Sequence, residues 1–522
     1  MSERHKEAEE LAQRRAWAEE LGGKERVDRQ HEQGRLTVRE RIHGLVDGDS
    51  FKEIGKLTGS GTYNDDNELT GMRPAPYVGG VARVDGRDIC IGGEDFTVRG
   101  GTSWGPLRRK GGQGGFIEDF AQHYRIPLVN LIDGAGGSVT SAISKGYTVF
   151  PGIDGWERSV RLLDEVPVVN AVLGTAAGGP AARAILGHWS VMVRGTSQIF
   201  AAGPPVVKRS LGEDLTKEEI GGAQVAVDIA GTVDNAVDSE EECFAEIRRF
   251  LSYMPQNVYE LPPVLPCDDP VDRCEDDLLT IVPEKRTRPY NMMKLVAMVV
   301  DKGSIFEIQP TYGKTVNTCL ARLNGYPVGI IANNPRQFGG AMTVESAKKQ
   351  GHFINLCDNF HIPIVFLVDV PGFMVGLKAE QAGTLREGMK AAYAGLKARV
   401  PQMQVVIRKC YGMAGNATMD KDALDFKVSW PTGEWGSLPI EGGVAAAYRR
   451  DIEAAEDPAA REAELEAGLR AYASPFRSAE AFAVEDIIDP RETRPHLCRF
   501  IEIAQTRIKT DLGPMTRQGF CP

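Results

Sequence analysis

The chain has 522 residues, 42% of them hydrophobic and 25% charged, with 58 glycines, nine cysteines and a formal net charge of −11. That length suits more than one domain, and the balance excludes global disorder. No apolar run reaches the roughly 18 residues of a membrane span, no Gly-X-Y period points to collagen, and the acidic balance disfavours nucleic acid as a partner.

The N-terminus, MSERHKEAEELAQRR, is charged from its start and lacks the apolar stretch of a secretory signal. The first forty-odd residues read as polar helix, broken at Gly22-Gly23 and anchored by Leu11, Trp17 and Leu21. Further on, 82–101 reads ARVDGRDICIGGEDFTVRGG, and 321–340 reads ARLNGYPVGIIANNPRQFGG. Three more blocks repeat in the same order. RIPLVNLIDGAG (125–136) is matched by HIPIVFLVDVPG (361–372), and VPVVNAVLGTAAGG (166–179) by VPQMQVVIRKCYGM (400–413). The entry segments VDGDSFKEI (46–54) and VDKGSIFEI (300–308) also agree. Four matched blocks at nearly constant spacing indicate two homologous domains. The stretch 254–270, MPQNVYELPPVLPCDDP, has linker character. The expected division is 1–260 for the first domain, 261–288 for a Pro-rich linker and 289–522 for the second domain.

Each copy has one grammar. Val- and Ile-rich runs such as 128–132 and 364–368 read as buried strands, each followed by a Gly-rich turn and then an amphipathic helix. Strands alternating with helices imply α/β architecture with mostly parallel pairing. In the first copy the turns are Asp133-Gly134-Ala135-Gly136-Gly137 and Ala177-Gly178-Gly179-Pro180. In the second they are Asp369-Val370-Pro371-Gly372-Phe373 and Tyr411-Gly412-Met413-Ala414-Gly415. A Gly-rich turn opening a helix leaves backbone N–H groups free and lets a ligand approach closely, so two adjacent turns can bind a developing oxyanion. One Gly pair alone is more often a tight turn; two turns per domain, present in both domains, favour function. No histidine spacing fits a metal site, and no metal is expected.

The 166–181 segment, VPVVNAVLGTAAGGPA, resembles the oxyanion segment of the crotonase superfamily. From about Arg35 onward the chain resembles the carboxyltransferase (β) subunits of biotin-dependent acyl-CoA carboxylases of the propionyl-CoA and methylcrotonyl-CoA type. The motifs that carry this likeness are GRLTVRERI with LVDGDSFKEIG (34–55), FAAGPPVVKRSLGEDLTKEEIGGA (200–223), RPYNMMKLVAMVVDKGSIFEIQP (288–310), VDVPGF (368–373), IRKCYG (407–412) and DPRETRP (489–495). The resemblance implies two tandem crotonase-like domains. It implies an acyl-CoA thioester held mainly by the first domain and biotin by the second, in a homohexamer whose active sites lie at dimer interfaces. A separate biotin carboxylase and biotin carboxyl carrier subunit carries the biotin, and the compartment is the cytoplasm, which the cysteines, with no C-x-x-C pair, also fit.

On this reading Gly136, Gly137, Gly178 and Gly179 form a first oxyanion hole for the thioester oxygen. Gly372, Phe373, Gly412, Met413 and Ala414 form the second, on the biotin side. Arg108, Arg109 and Lys110 are candidates for the CoA phosphates, at even odds with a solvated charge run; Lys208 is a weaker one, and Arg408-Lys409 stand near the biotin turn. The turns lack paired carboxylates for acid–base work, and the resemblance assigns the α-proton to released biotin. Met293-Lys294 is a decoy for biotin attachment, because its segment reads as amphipathic helix. Three positions depart from the family. Ser138 stands where an Arg is frequent, Met413 breaks a Gly-Gly-Ala, and Asn416 replaces a common carboxylate. Carboxylation, the reverse reaction of a decarboxylase or transcarboxylase, and a non-catalytic scaffold are the three readings left open.

Overall fold

The computed structural model describes residues 3–102, 115–137, 143, 146–148, 156–418, 426–470 and 472–514. Its contacts divide the chain into two compact units: one running to Glu260 and taking back Gly513, the other spanning Leu261–Leu512. Among the described residues no helix is long and apolar enough to cross a membrane.

The strands of the first unit are β1 (Lys52–Glu53), β2 (Gly59–Tyr63), β3 (Leu69–Pro74), β4 (Tyr77–Val84), β5 (Arg87–Glu94), β6 (Leu128–Gly134), β7 (Val168–Ala177), β8 (Trp189–Val193), β9 (Gln198–Phe200) and β10 (Asn235–Val237). An eight-stranded sheet takes the order β1-β4-β5-β6-β7-β8-β10, with β9 also on β7, while β2 and β3 pair apart from it. The β1/β4 and β4/β5 pairs are antiparallel and the others in this sheet are parallel. Every residue of β6 is buried, which accounts for its Val/Leu/Ile-rich run, and the one polar residue in that run, Asn130, donates to the Asn170 side chain at 2.9 Å.

The second unit repeats this plan with β11 (Phe306–Ile308), β12 (Val316–Leu323), β13 (Tyr326–Asn333), β14 (Ile364–Val370), β15 (Gln402–Tyr411), β16 (Phe426–Ser429), β17 (Glu434–Gly436) and β18 (Asp486–Ile487). Its order is β11-β12-β13-β14-β15-β16-β18, with β17 on β15. Two parallel-dominated sheets of like order are the tandem crotonase-like domains expected. β7 and β15 are ten residues long, and each is held by one short strand along its first part and another along its last. The late partners β9 and β17 keep the backbone extended up to the glycine turns.

The duplication extends to single hydrogen bonds. The β4–β5 turn has positive φ at Asp85 and Gly86, and the β12–β13 turn at Asn324 and Gly325. Asp47 accepts from the N–H groups of Asp85 (3.0 Å) and Gly86 (2.8 Å). Asp301 accepts from those of Asn324 (3.0 Å) and Gly325 (2.8 Å). Each carboxylate thereby clamps a hairpin whose two central residues lie in the left-handed region.

The N-terminal helices Glu3–Glu19 and Lys24–Glu32 break around Gly23, and Val38–Leu45 follows behind a Thr37–Glu40 capping box. Residues 261–288 have little regular structure beyond Asp276–Leu279 and lie against the second unit. Leu278 enters that unit's core. Arg273 there donates to Asp269 and to the carbonyls of Met298 and Val300.

Each central strand carries a buried aspartate one residue before its end. The β6/β7 register shifts between Ile132 and Gly134, and the β14/β15 register between Val368 and Val370. Asp133 and Asp369 sit in these irregularities, fully buried. Arg41 donates to Asp133 at 3.0 Å and Arg35 at 3.2 Å. Arg41 also binds Glu240 twice and the Leu173 carbonyl. Asp369 instead pairs with Arg408, Nη2 to Oδ2 2.9 Å. Arg408 is the repeat counterpart of Gly174, where an added Cβ would lie 2.2 Å from the Asp133 carboxylate. One unit draws its cation from the neighbouring strand, the other from the N-terminal segment.

Removing one member of a buried pair strands the other charge. Arg408→Met is expected to cost about 3–5 kcal/mol in denaturant unfolding of the second unit. The double change Arg408→Met/Asp369→Leu should recover most of that loss. An unshifted transition in the single variant would show that the pair holds nothing in place.

Candidate functional site

In the first unit the two predicted turns lie side by side. Gly136 (φ 81°) and Gly178 (φ 61°) are both left-handed. A Cβ on Gly136 would sit 2.6 Å from the Ala177 carbonyl oxygen and 3.7 Å from Gly178 Cα, so only glycine permits this approach. Gly179 and Pro180 open the helix Gly179–Ile185. The N–H groups of Gly136, Gly137, Gly178 and Gly179 donate to no backbone carbonyl among the described residues. Ala135, by contrast, is tied down, its N–H donating to the Gly100 carbonyl at 2.9 Å.

The second unit reproduces the backbone, with Gly372 at φ 140° and Gly412 at φ 59°. Met342 donates to the Gly372 carbonyl (3.0 Å) and accepts from Met374 N–H (2.9 Å). Phe373 N–H, between these bonds, donates to no backbone carbonyl among the described residues, and neither do those of Met413 and Ala414 in the first turn of Gly412–Asn416. Phe373 and Met413 occupy the positions of Gly137 and Gly179, so the same two amides recur with side chains added. The Phe373 ring packs against Gly388, where a Cβ would come within 2.4 Å.

Beside the second pair lies a cavity of about 550 Å³, bordered by Gly412, Met413, Asn416, Cys410, Trp435 and Lys427 among others. Met413 is 46% exposed, and Asn416 Nδ2 approaches its sulfur at 3.6 Å. Behind the turn, burial and Glu434 push the Tyr411 phenol up to about 12, so it stays protonated at neutral pH. Burial pulls the Lys409 ammonium below its ordinary value, against the pull of Asp369.

Other charged residues, candidates and bystanders alike, have partners of their own. Arg408 is spent on Asp369 and on the carbonyls of Arg286 and Arg288. Lys208 pairs with Asp214 at 2.8 Å on the surface. Glu434 and Glu441 both bind Arg286. Lys294 lies in the helix Met292–Val299, capped by the Asn291 side chain. Arg108, Arg109, Lys110 and Ser138 lie outside the described residues. Sequence reasoning passed over the supports: Glu94, whose Oε2 accepts from Asp133 N–H and whose carboxylate pairs with buried Arg183, and the Arg41–Asp133 contact. The one available signal was a run of arginines in 35–41 within an otherwise apolar-spaced segment.

The family model described as the carboxyl transferase domain matches residues 29–517. The chain is 35% identical, over 98% of its length and 98% of the relative's, to the propionyl-CoA carboxylase carboxyltransferase subunit of Haloferax mediterranei. It is 33% identical to methylmalonyl-CoA decarboxylase subunit alpha of Veillonella parvula, covering 91% of both chains. Among solved structures, the transcarboxylase 12S hexamer with methylmalonyl-coenzyme A matches with a TM-score of 0.88 at 30% identity, over 99% of this chain and 98% of that one.

The two glycines of the first turn differ in what they tolerate. Gly136→Ala forces a left-handed alanine against the Ala177 carbonyl and is expected to destabilise the first unit by about 1–3 kcal/mol. Gly137 lacks a positive φ, and a Cβ there meets nothing within 4 Å. Gly137→Ala should therefore change stability by less than about 0.5 kcal/mol. Thermal unfolding of the two variants checks the contrast, and equal shifts would contradict it.

Proposed function

The chain belongs to the carboxyl transferase family, and from that premise we propose that its two turn pairs are two oxyanion sites for moving a carboxyl group between biotin and the α-carbon of an acyl-CoA. The enzyme is a carboxyltransferase of the acyl-CoA carboxylase type. Deprotonating the α-carbon puts negative charge on the thioester oxygen, and N–H donors already aimed at that oxygen lower the barrier. Gly136, Gly137, Gly178 and Gly179 serve that oxygen. Carboxybiotin, when bound, supplies the carboxyl group. Phe373, Met413 and Ala414 donate to the ureido oxygen that gains charge as the carboxyl leaves, and Gly372 and Gly412 shape the approach. The cavity beside Met413 gives the ring system room, with Trp435 and Met413 as apolar walls.

The observation that carries this reading is the recurrence, in both units, of two adjacent turns whose amides lack backbone acceptors among the described residues. The rest follows the relatives. We infer a homohexameric core working in the cytoplasm, a separate biotin carboxylase and biotin carrier subunit, and a short-chain acyl-CoA as acceptor. The decarboxylase relative favours a second reading, in which the same site runs in reverse.

The purified chain, mixed with a biotinylated carrier partner, ATP, bicarbonate and a panel of acyl-CoAs, tests the proposal. Turnover with a short-chain acyl-CoA is expected. Carboxyl release from a carboxylated acyl-CoA without ATP-driven carboxylation would establish the reverse reading, and no reaction in either direction despite a stable complex would sink both. Gly179→Val places a branched side chain at the first hole and should lower kcat by about 10²-fold while assembly survives. Wild-type turnover in that variant would reduce Gly179 to a turn residue.

A further inference from the structure

Lys349 is a buried cation that the carboxyl-transfer site does not touch. It lies in the helix Val344–Asn359 and is 1% exposed. Its Nζ donates to three backbone carbonyls of the loop between β11 and β12: Gln309 at 2.7 Å, Val316 at 2.8 Å and Tyr312 at 3.1 Å. An ammonium has three N–H donors, and all three are used on carbonyl oxygens. We propose that Lys349 is a built-in monovalent cation and a positioning residue. Its ammonium locks the 309–316 loop to this helix and, through Met342 just before the helix, holds Phe373 N–H in place on the biotin side. The inference rests on the reading that this amide serves the site.

The loop needs such a lock. Gln309 is left-handed at φ 55°, and Gly313, also left-handed, presses on the helix so closely that a Cβ would lie 2.9 Å from the Glu345 carbonyl oxygen. The loop in turn accepts from Asn334, whose N–H donates to Thr315 O (2.8 Å) and whose Nδ2 donates to Lys314 O (2.9 Å). At the other end of the path, Met342 bonds to Gly372 and Met374, the two residues flanking Phe373. A methionine would fill the same volume at no cost in buried charge, so the ammonium is retained for the three carbonyls it gathers.

The groups facing Lys349 are Glu307 from β11 and Cys319 from β12, with Tyr312 in the loop. Burial pushes the lysine down to about 8. Burial raises Glu307 and Cys319 as well, and pushes Tyr312 up to about 12. Above about pH 8 the folded chain has released a proton that the unfolded chain still holds, so this group makes stability rise with pH there. The neutral amine nevertheless has two N–H donors for three carbonyls. A loss of activity through this window is therefore local loosening, not unfolding.

The test uses the full chain with its biotinylated partner. Lys349→Met should lower kcat about 10–100-fold, leave the KM for acyl-CoA within about twofold and abolish the alkaline limb near pH 8. Lys349→Ala lacks the atoms of n-propylammonium, and that ion, but not tetramethylammonium, should restore its kcat. Hydrogen exchange in 338–346 and 370–376 should rise in both variants and, in Lys349→Ala alone, fall again with propylammonium. Unchanged exchange, or no rescue by propylammonium, overturns the proposal. Raised and rescuable exchange with wild-type kcat upholds the lock and removes Phe373 from the site instead.

Discussion

The two turn pairs depend on a buried aspartate near the end of each central strand. Asp133 and Asp369 stand where the parallel ladder slips, three residues before Gly136 and Gly372. A carboxylate taken out of water needs a cation and further hydrogen bonds to remain ionised. Those partners fix the strand end in three dimensions: Arg41 and Arg35 in one unit, Arg408 and the Lys409 N–H in the other. The turn amides are thus held from behind by charge and from the side by the late strands β9 and β17. Preorganisation of this kind is what an oxyanion site requires, since donors that must first reorient stabilise little.

Duplication supplied two copies of this support, and the two then diverged at the donor positions. The left-handed positions are kept: Gly136 with Gly372, and Gly178 with Gly412. The donor positions are not, since Gly137 and Gly179 are answered by Phe373 and Met413. An amide survives such a change, so the second unit gained apolar walls without giving up its N–H groups. The first unit keeps glycine at both positions, so its two amides carry no side chain. The support diverged too. A glycine at 174 makes room for an arginine from far upstream, and an arginine at 408 fills the equivalent space from within.

Much of this was legible in the sequence because it is local or periodic. The strands 128–132 and 364–368 were read from apolar runs, and the internal repeat exposed both turns of each unit. The observed strands run further, Leu128–Gly134 and Ile364–Val370, because their ladders with β7 and β15 resume beyond the register shifts at Asp133 and Asp369, and a single pairing past an irregularity leaves no pattern to detect. The Arg41–Asp133 and Lys349 contacts were not legible. They join residues far apart in the chain, and a buried arginine or lysine looks in sequence like any surface one. The cavity beside Met413 is likewise assembled from β15, β17 and residues 483–484, which no spacing rule connects.

Gly513 closes the first unit by donating to the Val258 carbonyl at 2.8 Å, after the whole second unit has intervened. This orders events at the ribosome. The second unit can complete its parallel sheet as soon as its own strands have emerged, whereas the first, though synthesised earlier, forms its last bond only once residue 513 has been made. The half that is translated first therefore cannot make its last bond until its duplicate has been synthesised.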